Sequence, residues 1–218
     1  ERVSVGAPLQ LKRWYRVGAA YDAASGTVRI FQIPILAVPD IADGGTKEQR
    51  VGVRMGSNRA ALLFAAMPGD KPSGLNFYYN GKIDGPVITS RALGEGDCEA
   101  LIGQTPQRLA FDIVGRWGFS KRMDSQIACD LSVNRLDGKV VNFPTRAMTG
   151  WNWTGEIMNY NEDPSQWGAI HFHDDDVYDA GWESDFAFTV PADLKSGIYA
   201  ARLRGGGDEE HVWFTVGP

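Results

Sequence analysis

The sequence predicts an all-β protein, and three observations carry that expectation. Apolar residues rarely hold the three-and-four spacing of an amphipathic helix for more than a turn. Short runs of β-branched and aromatic residues recur instead, broken by Gly, Pro, Asn or Asp. Several runs alternate side chains in the two-residue period of a half-buried strand. With 218 residues, 43% of them hydrophobic, the chain can fill the core of one large domain, or of a medium domain with a small companion.

The elements follow in order. In "WYRVGAAY" (14–21) Tyr15, Val17, Ala19 and Tyr21 alternate with Trp14, Arg16, Gly18 and Ala20. "DAASG" (22–26) reads as a turn and "TVRIFQI" (27–33) as the returning strand, so 14–33 is a hairpin candidate. "LLFAAM" (62–67) has the length of a strand. "LNFYYNGKIDGPVI" (75–88) contains Asn80-Gly81, a pair suited to a tight hairpin turn. "RALGEGDCEALIG" (91–103) suits a short helix or a loop. "RLAFDIVG" (108–115) predicts a closing strand with Leu109, Phe111 and Ile113 on one face. The stretch 134–168 is long, rich in Asn, Gly and Trp, and weakly periodic, as a connection or functional loop would be. Strands are then expected at 169–173, 185–191, 197–204 and 211–216, the last two joined by the loop "GGGDEE". Leu194, Gly197 and Tyr199 resemble the tyrosine corner of immunoglobulin-like sandwiches, in which the Tyr hydroxyl bonds back to upstream backbone. The expected organisation is a β-sandwich over 1–135, an irregular Trp/Asn-rich connection over 136–168, and a partial immunoglobulin-like unit over 169–218 that leans on its neighbour.

Charge and composition narrow the function classes. The net charge is −5 and no basic run occurs, which disfavours nucleic acid as a partner. No apolar run approaches the roughly 20 residues of a membrane helix, and the start lacks a signal-peptide pattern. Cys98 and Cys129 are the only cysteines and read as free thiols of a cytoplasmic protein. The chain opens on Glu1 and closes on "WFTVGP" just after a strand-like run, so both ends are expected to continue into something longer.

The stretch that most resembles a reactive site is "AIHFHDDDVYDAGW" (169–182). On a strand, His171 and His173 share a face and could share a metal ion, with Asp174, Asp175 and Asp176 adding oxygen ligands. The remaining histidine, His211, is far along the chain, and no Glu or Cys stands at a telling spacing. A scaffold role is preferred: packed histidines, then aspartates forming a turn. His171, His173 and Asp174 remain the metal candidates of lower rank. "DDDVYD" lacks the alternating calcium loop with its distal Glu, and "IADGG" and "LGEGD" offer few ligands. Trp151, Trp153 and Trp167 could stack on sugar rings or plug a joint between two β units, and the joint is preferred. No G-x-S-x-G elbow occurs, and the glycine-rich loops do not stand between a strand and a helix, as a phosphate cradle would.

Two stretches carry family resemblances. "LKRWYRVGAAYDAASGTVRIFQ" with "LNFYYNGKIDGPVI" is similar to concanavalin A-like, laminin-G-like jelly-roll sandwiches, over roughly residues 9 to 133. "VNFPTRAMTGWNWTGE" and "GAIHFHDDDVYDAGWESDFAFTVPADLKSGIYAARLR" resemble the large (beta) subunit of the N,N-dimethylformamidase family. The resemblance implies a laminin-G-like domain, a short immunoglobulin-like piece and a glutamine-amidotransferase-like α/β domain. It also implies hydrolysis of dimethylformamide to dimethylamine and formate, by an assembly of large and small subunits with a mononuclear iron held by Tyr, His and Glu. Those ligands are implied to lie in the α/β domain, which no stretch here resembles. None is therefore carried over: His171 and His173 match the family's strand without being its ligands. The expectation is a segment with no catalytic, cofactor-binding or metal residues of its own. It would pack against the catalytic α/β domain, the small subunit and further protomers, with no nucleic acid and no membrane. Two alternatives are a carbohydrate-binding lectin-like module and a self-contained hydrolase using His171 and His173.

Overall fold

The computed structural model describes residues 2–52, 56, 60–70, 74–100, 107–175 and 181–217. The first hairpin forms as its pattern predicts. β1 (Tyr15–Asp22) and β2 (Thr27–Pro34) pair antiparallel without a break, from Tyr15 opposite Pro34 to Asp22 opposite Thr27. Asp22 builds the turn: its carboxylate accepts from the Ala24 N–H at 3.0 Å and the Ser25 hydroxyl at 2.8 Å. These bonds hold that carboxyl below its ordinary pKa, the Ser25 hydroxyl contributing most. β3 (Gly45–Arg50) joins β2 antiparallel and completes a three-stranded sheet.

A buried ion pair fastens the chain before β1 to the loop before β3. Asp43, 2% exposed, accepts from the Tyr15 hydroxyl at 2.5 Å and pairs with Arg13 Nη1 at 2.8 Å. Gln32 Nε2 donates to the Asp43 carbonyl at 2.7 Å. The acidic residue of "IADGG" is thus committed to structure.

The chain continues through β4 (Met67–Pro68), β5 (Leu75–Asn76), β6 (Gly81–Asp84), β7 (Val87–Thr89), α1 (Glu95–Ala100) and a 3-10 turn (Gln107–Asp112). Next come β8 (Ile113–Arg116), β9 (Ile127–Ala128), β10 (Gly138–Lys139), β11 (Thr145–Met148), a second 3-10 turn (Pro164–Trp167) and β12 (Ala169–Phe172). β11, β12 and β6 form a three-stranded antiparallel sheet with β12 central, and β4–β5, β7–β8 and β9–β10 pair two by two. The main core gathers Trp117, Phe119, Ala128, Val140 and Ile170, with Ile83, Ile88 and Phe172 against it. Phe64 meets Trp117 edge-on at 5.3 Å. A second cluster joins Leu93, Leu109 and Ile113.

The all-β class holds, while several local expectations do not. Residues 62–67 form no strand; only Met67 enters β4. Asn80-Gly81 makes no hairpin turn. β6 starts at Gly81 and pairs with the distant β12, while Asn80 Oδ1 accepts the Asp174 N–H at 2.7 Å, so a long-range ladder outcompetes the local turn. Residues 107–112 wind as a 3-10 turn, with the strand confined to 113–116. Leu109 (0% exposed) and Ile113 face the core while Phe111 is 95% exposed, because three residues per turn do not keep alternate positions on one face. In 91–103 the helical option is realised at 95–100, and 101–103 lie outside the described residues.

The compact units are Glu1–Tyr178 and Asp179–Pro218. β12, expected to open the second unit, belongs to the first because its ladder partners β6 and β11 lie there. The supposed connection likewise contributes β10 and β11 to the first unit. In the second unit, 185–191 runs without a ladder. β13 (Gly197–Gly205) and β14 (Asp208–Val216) form a long hairpin. Its turn is only Gly206-Gly207, both at positive φ (+59° and +94°), which suits the twist of a two-residue connection. The tyrosine corner is present: Tyr199 Oη donates to the Lys195 carbonyl at 2.7 Å, and its ring stacks on Phe214 at 5.7 Å.

Candidate functional site

β12 sorts its side chains by alternation. Ile170 and Phe172 turn into the core, so His171 and the following His173 take the opposite face. Their rings lie 4.1 Å apart, tilted by 51°. His173 Nδ1 stands 4.0 Å from Asp175 Oδ1, while Asp174 is exposed and joined to Asn80 through its backbone. Asp176 lies outside the described residues. His211 sits on β14, its Nε2 3.6 Å from Glu209. Among the described residues no three His, Cys, Asp or Glu side chains converge as a cation site.

The same sheet face carries a feature that the sequence did not reveal. Asp84 stands opposite Ala169 and Lys82 opposite His171. Lys82 Nζ donates to the Thr149 carbonyl at 3.1 Å and to its hydroxyl at 2.8 Å, and burial lowers its pKa. Asp84 lies beneath two glycines. A Cβ on Gly150 would collide with Asp84 Oδ2, and one on Gly168 would stand 3.0 Å from Oδ1. Burial raises the Asp84 carboxyl above the ordinary aspartate range, and the Trp151 N–H donating to it pulls the other way.

Above Asp84 the tryptophan segment is cross-tied. Gly150 N donates to Gln166 O at 2.8 Å, Thr154 N to Gln166 Oε1 at 2.9 Å, and Asn152 Nδ2 to Ser165 O at 3.2 Å. Asp163 caps the 3-10 turn by accepting from Ser165 N at 3.0 Å and holds Gln166 Nε2 at 2.9 Å. Trp151 and Trp153 expose 38% and 40% of their surface, and the Trp153 indole N–H is tied to Ile157 O at 2.8 Å. Trp167 is half-buried. All three belong to the first unit.

Two further polar centres organise the core edge. Asp130, 1% exposed, accepts from Arg116 N (2.9 Å), Ser132 N (2.8 Å), Ser132 Oγ (2.7 Å) and Leu136 N (2.8 Å). Burial alone would raise its carboxyl, but these donors outweigh it and hold the pKa at about 2. Arg146 gives its guanidinium to the carbonyls of Ser125 (2.8 Å), Ile127 (3.2 Å), Phe119 (3.1 Å) and Lys121 (3.3 Å). The open groove of about 320 Å³ beside it, walled by Val140, Phe143 and Pro144, thus borders a cation already engaged. Cys129 is a free, half-buried thiol, and the Cys98 side chain lies outside the described residues.

Comparison with known proteins gives this scaffold a lineage. Residues 145–218, from the start of β11 onward, match a family model described as N,N-dimethylformamidase beta subunit-like, C-terminal. The N,N-dimethylformamidase beta subunit of an Alcaligenes species is 34% identical over 233 residues, spanning 97% of this chain and 30% of that protein. The N,N-dimethylformamidase beta subunit of Paracoccus aminophilus is 33% identical over 240 residues, spanning 100% of this chain and 31% of that protein. The chain spans less than a third of the length of these curated relatives. Similar to them along its whole length, it belongs to the N,N-dimethylformamidase beta-subunit family.

Proposed function

We propose that this chain is a non-catalytic, β-rich portion of the beta subunit of an iron-dependent amidohydrolase of the N,N-dimethylformamidase type, which converts dimethylformamide and water to dimethylamine and formate. Its first part folds as a concanavalin A-like sandwich and its last part as a partial immunoglobulin-like unit. Its work is packing in the cytoplasm: against a catalytic α/β domain of the same subunit, against a small subunit, and against further protomers. The observation that carries the reading is surface. The chain exposes 15887 Å², whereas compact monomers of its mass expose roughly 9,900 Å². Treating the two units as separate bodies raises that expectation only to about 11,000 Å². Large apolar side chains contribute to the excess, among them Phe111, Trp182 (89% exposed) and Trp213 (72%). Surface of that kind marks sites that other protein covers.

The iron of such an enzyme belongs to another part of the subunit on this reading. No chemical step is assigned to this chain. The test is to assay the purified 218-residue chain for release of dimethylamine and formate, and to measure its iron after dialysis. Neither turnover nor stoichiometric iron is expected. Turnover by this chain alone, or about one iron per chain, would move the chemistry to His171 and His173. The half-exposed indoles of Trp151 and Trp153 favour a second reading, a glycan-binding module; silence on a glycan array removes it.

A further inference from the structure

Asp84 is not part of the packing role, and its surroundings suggest one of their own. Asn152 Oδ1 is enclosed and has no hydrogen-bond partner. The orientation of its amide follows from the other end, where Nδ2 donates to Ser165 O at 3.2 Å. A Cβ built on Gly150 would collide with Asp84 Oδ2 and lie 3.0 Å from Asn152 Oδ1, so the two oxygens flank the same point. Two acceptors that flank one enclosed point are unfavourable unless one of them carries a proton.

We propose that Asp84 is a proton-operated latch on the tryptophan segment. Protonated, its carboxyl donates to Asn152 Oδ1 and holds residues 149–154 on β6; ionised, it opposes that oxygen and the segment lifts, exposing Trp151. The inference goes beyond the family reading and does not depend on it. The raised carboxyl pKa agrees in direction: burial favours the neutral acid, and the single Trp151 N–H that favours the anion does not offset it. A raised folded-state pKa means that the latch is fully engaged below the ordinary aspartate value and is lost as pH rises through the raised one.

The other charged groups around Asp84 are engaged elsewhere. Lys82, on its own strand, is bonded to Thr149. His171 on β12 stands across from Lys82 rather than from Asp84. Arg146 on β11 holds the 119–127 carbonyls. Asp163, at the 3-10 turn, is held below its ordinary pKa by Ser165 and Gln166.

The test is acrylamide quenching of tryptophan emission in the full chain across pH. The wild type should pass through one transition, quenching more at high pH, with a midpoint above the ordinary aspartate value. Asp84→Asn keeps a donor toward Asn152 but cannot ionise, so it should lose the transition and stay at the low-pH level. Trp151→Phe should shrink the amplitude. If Asp84→Asn fails to fold, Asn152→Ala decides: removing the acceptor of the neutral acid should shift the midpoint down. A transition that persists in Asp84→Asn, or a midpoint unmoved in Asn152→Ala, overturns the latch.

Discussion

Replacing Asp130 should be among the most damaging single changes in this chain. Asp130→Ala leaves three backbone N–H groups and the Ser132 hydroxyl without their acceptor, at a position 1% exposed. Each orphaned donor costs about 1–3 kcal/mol. Water entering the vacated space offsets part of that, leaving about 3–5 kcal/mol, a large share of the roughly 5–15 kcal/mol that holds a domain together. Asp130→Asn keeps one oxygen for Arg116 and Ser132 but turns an NH₂ toward the Leu136 N–H, and should cost about 1–3 kcal/mol.

The same residue predicts a pH signature. Its folded pKa of about 2 lies below the ordinary aspartate value of 3.8. A depressed carboxyl contributes stability that is full above the unfolded pKa and is lost as pH falls through the folded one. The gap corresponds to about 2 kcal/mol. Urea unfolding of wild type and Asp130→Asn at a series of pH values is the assay. The difference between the two should be constant above about pH 5 and shrink by about 2 kcal/mol toward pH 2. Subtracting the curves removes the acid response of other carboxylates such as Asp22 and Asp163. A flat difference, or an alanine variant within about 1 kcal/mol of wild type, would refute the reasoning.

Other expectations follow from packing. Gly18→Ala places a methyl group inside the contact radius of the Phe31 ring on the facing strand; the loss should be about 1–3 kcal/mol, read as a lowered Tm. Trp117→Phe removes core volume and the bond from its indole N–H to Leu136 O (2.9 Å), for about 2–3 kcal/mol in denaturant unfolding. Tyr199→Phe deletes the bond to Lys195 O; hydrogen exchange should rise around 195–199 for a loss of about 1 kcal/mol, with no change in the first unit. Gly207→Ala, at φ +94°, should cost about 1 kcal/mol or more and loosen the β13–β14 hairpin by the same readout.

The fold was legible in the sequence where its signals were local. Asp22 and Gly26 mark a turn whose flanking strands pair directly, and Gly206-Gly207 with Tyr199 do the same for the last hairpin. Legibility failed where strands choose distant partners. Asn80-Gly81 has the composition of a turn, yet β6 pairs with β12, and nothing in residues 75–88 announces the pull of 169–172. Phe111 shows a second limit. The alternation of Leu109, Phe111 and Ile113 fits a strand, yet the chain winds as a 3-10 turn through Asp112, which buries Leu109 and leaves Phe111 exposed. The shared face of His171 and His173 was readable, since strand geometry enforces it.

Two aspartates, Asp84 and Asp130, show why the rest of the site could not be read. They are the same residue type, and their carboxyls shift in opposite directions. Desolvation pushes both up; the number of donors decides the outcome. Asp130 meets three backbone N–H groups and a hydroxyl, which makes it a fixed anion that organises the 130–136 loop. Asp84 meets one backbone N–H and faces an acceptor, which makes it a group able to change state. Nearly all of these donors are peptide groups, identical at every position of the sequence, and only the path of the chain delivers them. Scaffold and switch therefore differ here chiefly by backbone placement. Moving a donor, as Asp84→Asn does toward Asn152, should convert one behaviour into the other without altering the sheet beneath.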